Sequence, residues 1–126
     1  MPLTVDADAL GALKPYRVTA AVSDNRCTLT AHSTARVAGS VIVQWTAALP
    51  YLVSTRLTVT PDYRGRGVTT ALDAAKVAVA RSSARIGILA AVHADNIPQL
   101  ARLFRRGWRC VHYARERYLF VLEVAP

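Results

Sequence analysis

Along the first part of the chain apolar and polar positions alternate with the period of a strand, and later segments switch to the period of a helix. Tyr16 to Val22 reads as a strand, Ser23 to Arg26 (SDNR) carries turn chemistry, and Cys27 to His32 returns as the hairpin partner. A third strand is expected from Val37 to Ala47, where Val41, Val43 and Trp45 alternate with Ser40, Ile42, Gln44 and Thr46, and Gly39 marks a bulge. A fourth runs from Leu52 to Thr60, with Val53, Leu57 and Val59 on one face and Ser54, Arg56, Thr58 and Thr60 on the other; Pro61 ends it.

Past the next two glycines the period changes. Val68, Leu72, Ala75 and Val79 form one apolar stripe on a helix that reaches about Ser82, with Asp73, Lys76 and Arg81 off the stripe. Ile86 to His93 is an apolar run of strand length, the pattern of a central strand buried on both faces of a sheet. The stretch DNIPQLARLFRRG then reads as a second helix: Asp95 or Asn96 caps it, Pro98 fits its first turn, Ile97, Leu100 and Phe104 share a face, and Gly107 stops it. Trp108 to Tyr113 and Tyr118 to Val124 close the chain as two strands around the charged turn ARER. This order of elements predicts an α/β domain on a mixed sheet.

The length, 126 residues, suits one domain spanning residues 1–126 with a real core and is too short for two. No stretch approaches the roughly 20 apolar residues that span a bilayer, and the first residues lack a basic segment followed by an apolar run, so a soluble, cytoplasmic protein without a membrane partner is expected. Cys27 and Cys110 stand apart, with no metal-ligand spacing around them, and are expected to be reduced core cysteines. The net charge of +8 makes an acidic partner plausible: a polyphosphate cofactor, an acidic protein surface or, less favoured, nucleic acid. The densest charge lies between Arg102 and Arg117.

One segment carries chemistry of its own. LTVTPDYRGRGVTTAL runs a strand into a glycine turn and straight into a helix, so successive N–H groups of Arg64, Gly65, Arg66, Gly67, Val68 and Thr69 point the same way and glycine lets a bulky anion approach. GxxxxGK[ST] is absent, which excludes a P-loop. The third glycine of a dinucleotide fingerprint would fall at Thr70, with no acidic residue about 20 positions on.

VTPDYRGRGVTTAL resembles the acetyl-CoA signature of the GNAT acyltransferase superfamily, and NIPQLARLFRRGW is similar to that family's second element, an Asn opening a helix that ends in an aromatic, charged residues and Gly. The resemblance covers Leu57 to Trp108. It implies a mostly antiparallel mixed sheet of six to seven strands splayed at its centre, two main helices, and acetyl-CoA as cosubstrate. By the same resemblance, the backbone from Arg64 to Thr69 cradles the coenzyme's diphosphate, Leu57, Thr58 and Val59 pair with its pantetheine arm, Asn96 reaches the arm or the adenine, and Phe104 is counted among the coenzyme-binding residues. Three departures stand out. Thr69 replaces a usual Gly or Ala, Phe104 occupies the place of the family's frequent tyrosine acid, and the helix pair that normally precedes the second strand is missing or shrunk to a turn around Asp6 to Leu13.

For amide formation from a thioester, the best candidate base is His93 and the candidate acid is Tyr113 or Tyr118; Glu116 and Glu123 read as surface partners of arginines. A thiol of pKa about 8.5 leaves without an acid at a cost of about 1.5 kcal/mol near neutral pH. The strand from Leu52 to Thr60 carries no carboxylate. Neutralising a lysine costs about 4 kcal/mol at neutral pH and an α-amine under about 1, so a low-pKa amine acceptor is expected. The alternative is a non-catalytic acyl-CoA binder or nucleic-acid-associated module. Acceptor identity, acyl length and homodimer formation stay open.

Overall fold

The computed structural model describes residues 3–11, 15–34 and 36–124. A short helix α1 (Ala7–Gly11) precedes strands β1 (Arg17–Ser23), β2 (Arg26–His32), β3 (Val37–Trp45) and β4 (Tyr51–Val59). Helix α2 (Val68–Ser82), β5 (Gly87–His93), α3 (Ile97–Arg105), β6 (Arg109–Ala114) and β7 (Arg117–Glu123) follow. Of the turn expected from Asp6 to Leu13, the part beyond Gly11 lies outside the described residues, as do both ends of the expected 1–126 domain.

The strands make one seven-stranded sheet in the order β1-β2-β3-β4-β5-β7-β6. All neighbours are antiparallel except β4 and β5, which need the α2 crossover between them because parallel strands cannot be joined by a tight turn. That parallel ladder is short: Tyr51 to Ser54 pair with Gly87 to Ala90, and beyond Ser54 and Ala90 the two strands part.

β4 stays on β3 but gains a residue there, since Ser40 pairs with Thr58 and Ile42 with Thr55. Arg56 takes up the excess in the left-handed region, at φ 55°. The bulge reverses the alternation of faces. Leu52 and Ser54 are buried before it, and Leu57 and Val59 pack on the same core after it. Val53 therefore does not share a face with Leu57 and Val59, contrary to the expectation from unbroken alternation, because period two survives only where no residue is inserted.

α2 packs across β1 to β5 with α1 beside it, and Leu103 of α3 joins the same buried cluster. The three α-helices among the described residues thus cover one face of the sheet. β1 passes to β2 through Asp24 and Asn25 alone, with Asp24 at φ 50°, so no helix pair is inserted there to cover the other face. This corrects the expectation that the β5 segment is buried on both sides: Ile88 and Val92 are buried toward the helices, whereas Ala91 is exposed.

The cysteines also separate. Cys27 is fully buried on β2, while Cys110 is exposed on β6, an edge strand whose residues all face solvent, and is not a core residue. Desolvation pushes the Cys27 thiol from 9.0 up to about 11. The folded state holds this proton where the unfolded chain loses it, so the associated stability is full below about pH 9 and is lost as pH rises toward 11. A maleimide at mild alkaline pH is expected to label only Cys110 in the folded protein and both cysteines after denaturation. Mass spectrometry reads the adducts, and a doubly labelled folded chain would contradict the burial.

Candidate functional site

The glycine turn is held from several sides. After β4 the chain makes one short 3-10 turn, Pro61–Tyr63, and reaches α2 through Gly65 at φ 74° and Gly67 at φ 82°, values that strain any residue with a Cβ. The Tyr16 hydroxyl donates to the Arg66 carbonyl at 2.7 Å. That carbonyl is drawn toward Tyr16, and the N–H of the same planar peptide unit, on Gly67, points the opposite way. Tyr63 and Ser33 share a hydroxyl hydrogen bond of 2.6 Å, and Arg36 reaches Asp62 at 3.1 Å, fixing the outer side of the turn.

At the mouth of α2 the first-turn N–H groups have no acceptor within the helix, and the helix dipole adds positive potential. A cavity of about 300 Å³ lies against them, lined by Tyr63, Arg64, Gly65, Gly67, Thr69 and Arg102. A Cβ on Gly65 or Gly67 would meet nothing within 4 Å, so it is backbone conformation and not crowding that requires glycine there. Gly39 is the opposite case. Its Cβ would stand 2.7 Å from the Thr58 carbonyl oxygen and 2.8 Å from Val68 Cγ1, so only glycine lets the start of α2 settle this closely on β3 and β4.

From the turn a wider cleft of about 750 Å³ runs between the parted ends of β4 and β5, lined among others by Leu57, Val59, Ala91, His93 and Asn96. It shares Val59, Arg64, Thr69 and Arg102 with the glycine-turn cavity. At the inner end, where the strands first separate, a recess of about 80 Å³ is lined by Ser54, Leu57, Lys76, Ala90, Gln99 and Leu103. The three form one groove from α2 into the sheet.

Of the residues singled out from sequence, Leu57, Val59, Arg64, Gly65, Gly67, Val68, Thr69, His93 and Asn96 line this groove. Thr58 and Arg66 belong to the same segments without lining it. Asn96 caps α3, its side chain accepting from the Gln99 N–H at 3.4 Å. Phe104, expected among the coenzyme-binding residues, does not line the groove: it is 62% exposed and sits edge-on to Phe120. Tyr113 is also exposed, on β6, which β7 separates from β5; its ring lies against Tyr118. His93 stands at the cleft mouth with Nδ1 accepting from the Asp95 N–H at 3.1 Å and Nε2 3.6 Å from a Glu116 carboxylate oxygen. The neutral ring therefore carries its proton on Nε2.

Asp73 and Lys76, placed off the apolar stripe by their spacing, are buried, and this is the largest departure from the sequence reading. Lys76 Nζ lies 2.9 Å from Asp73 Oδ1 and donates to Ser54 Oγ at 3.1 Å. Arg102 Nη1 meets Asp73 Oδ2 at 2.6 Å, and Gln99 holds the Arg102 Nε at 2.9 Å. Burial pushes the Lys76 ammonium below the usual lysine range; Asp73 opposes that shift and Arg102 adds to it. The cluster holds two cations and one carboxylate, and Arg102 Nη2 has no hydrogen-bond partner among the described residues. It thus presents net positive charge to the groove. The available signal was that α2 must face both the sheet and α3, which demands a buried arc wider than one stripe.

No family model matches the chain, and no curated protein matches it in sequence. Solved structures do match it. A candidate acetyltransferase of the GNAT family from Desulfovibrio desulfuricans is 20% identical over 80% of this chain and 71% of its own, with a TM-score of 0.72. The ribosomal-protein-S18-alanine N-acetyltransferase from Escherichia coli is 14% identical over 82% of this chain and 72% of its own, with a TM-score of 0.72. A Bacillus subtilis acetyltransferase in complex with CoA is 16% identical over 80% and 78%, with a TM-score of 0.69. Among the described residues no helix is long and apolar enough to cross a membrane, and no cluster of side chains fits a metal ion. At these identities the likeness is one of architecture, and by that architecture, a sheet split between its parallel strands beside a glycine turn, the chain has the GNAT acetyltransferase fold.

Proposed function

We propose that the protein is an N-acyltransferase that takes an acetyl group from acetyl-CoA and delivers it to a low-pKa amine. The observation that carries this reading is the parting of β4 and β5 just past Ser54 and Ala90, which opens a groove leading to the unpaired amides at the start of α2. The residues present fit the coenzyme. Within the expected Arg64 to Thr69 cradle the Arg64 and Arg66 amides donate back to Pro61 and Tyr63, which leaves those of Gly65, Gly67, Val68 and Thr69 for a diphosphate, with Arg64 and Arg102 adding charge, and Leu57 and Val59 offer a free strand edge to an extended arm. The CoA complex of the Bacillus subtilis neighbour supports this assignment.

The open sheet face, which none of the described helices covers, leaves room for the acceptor. Among the described residues lining the cleft there is no carboxylate, and His93, the expected base, would have to give up the Asp95 N–H on Nδ1 to take up an amine proton. An acceptor that is already largely neutral spares the site the first deprotonation, and the proton released on amide formation passes to water. Calorimetry with acetyl-CoA, followed by a thiol-release assay over an amine panel near neutral pH, tests the reading. Peptides with a free α-amine are expected to react on the order of 100-fold faster than lysine side chains, the ratio of their neutral fractions. Equal rates on lysine would overturn the amine preference, and binding without thiol release would leave a coenzyme binder in place of an enzyme.

A further inference from the structure

Ser54 occupies the last rung of the parallel ladder, opposite Ala90, with its side chain on the helix-covered face. There α2 brings Lys76 against it, 3% exposed at the side chain and anchored by Asp73 and, through Asp73, by Arg102. An ammonium has donors only, so in the 3.1 Å bond Ser54 Oγ is the acceptor and its own hydrogen remains for another partner. Among the described residues no acceptor for that hydrogen is found. Both side chains line the inner recess, which opens through Arg56, Leu57, Ala91, Val92 and Gln99 into the main cleft.

The distances suit a particular atom. From Val59, beside the glycine turn, back to Ser54 is on the order of 15 Å at the rise of a strand. An arm laid along β4 from the diphosphate site therefore brings its reactive end to this recess. The bulge also leaves Arg56 and Leu57 without partners in the β3 register, beside the recess they line with Ser54. What is missing is a donor for sulfur, since Phe104 has none and lies outside the groove.

We propose that Ser54, polarised by Lys76, is the hydrogen-bond donor that meets the departing sulfur, with Lys76 as its positioning residue; this rests on the acyltransferase reading above. In the transfer an N–C bond forms, the C–S bond breaks and its electron pair stays on sulfur. The amine loses a proton to water and the thiolate regains one from water, while the Ser54 hydrogen stays on oxygen and bridges to sulfur. A charge-assisted chain from Lys76 through Ser54 makes that hydrogen a stronger donor than an isolated hydroxyl.

The test compares Ser54→Ala, Ser54→Thr and Lys76→Met with the wild-type protein by acetyl-CoA calorimetry and steady-state thiol release. Ser54→Ala is expected to lower kcat on the order of tenfold or more, with the coenzyme Kd and KM nearly unchanged. Ser54→Thr, which keeps the hydroxyl, restores most of the rate. Lys76→Met lowers kcat in the wild-type background and adds little in the Ser54→Ala background, since it acts through the serine. Full kcat in Ser54→Ala, or equal losses in the alanine and threonine variants, would overturn the proposal even if Lys76→Met fails to fold. A wild-type protein that binds no acetyl-CoA or releases no thiol would instead remove the acyltransferase reading beneath it.

Discussion

Replacing Gly67 with Asp is expected to weaken acetyl-CoA binding on the order of 100-fold or more while leaving the protein folded. Gly67 stands immediately before α2 at φ 82°, with open space where its Cβ would be, so the new side chain extends into the region of the 300 Å³ cavity and not into the core. Two unit charges 4 Å apart interact by about 4 kcal/mol at the effective dielectric of a protein surface, and a coenzyme diphosphate would meet this carboxylate at such range. A 100-fold loss needs only about 2.7 kcal/mol. The folded state is much less affected. Left-handed backbone strains a Cβ by roughly 1–2 kcal/mol, Asp tolerates it better than most residues, and a negative charge at a helix N-terminus returns about 0.3–1 kcal/mol. Calorimetry should show the affinity loss and urea denaturation a change below about 2 kcal/mol. Unchanged binding by Gly67→Asp would mean that the anion sits elsewhere.

Asp73→Ala is expected to be the most destabilising of the single changes considered, at about 3 kcal/mol or more. Asp73 is the carboxylate between Lys76 and Arg102, and its removal leaves a buried ammonium facing a guanidinium with nothing to offset either. Breaking a buried pair from one side costs about 3–5 kcal/mol because the orphaned charge cannot reach water. Arg102 keeps 18% of its side chain exposed and retains Gln99, which places the cost toward the lower end. Lys76 keeps the Ser54 hydroxyl but, at 3% exposure, has no access to water. Adding Lys76→Met to Asp73→Ala should therefore recover part of the loss, an interaction that urea midpoints of the four proteins measure directly. If Asp73→Ala alone shifts stability by under about 1 kcal/mol, the cluster is solvated in a way its burial denies.

Much of the architecture was readable because it depends on local rules. The SDNR turn, Pro61 at the end of β4, the two glycines before α2, Asn96 as a helix cap and Gly107 after α3 each impose a backbone conformation that no distant contact needs to supply. The candidate anion site was legible for the same reason: it consists mainly of main-chain groups whose direction follows from helix and turn geometry. Side-chain roles were less accessible. Tyr113 and Phe104 were picked by chemical type and motif position, but sheet order puts the first on an edge strand and helix rotation turns the second to solvent.

The amino-acid sequence by itself determined the order of strands and helices and their limits to within about two residues, and that a glycine turn opens the first long helix, because hydrophobic period, caps and turn residues act over a few positions. Only the tertiary structure decided that β4 inserts Arg56 and exchanges its faces, that β4 and β5 part past Ser54, and that Asp73, Lys76 and Arg102 meet inside the protein. Those outcomes depend on pairing between segments far apart in the chain. A charged residue on a helix carries no mark of its own that says whether it will face water or a partner 29 positions away.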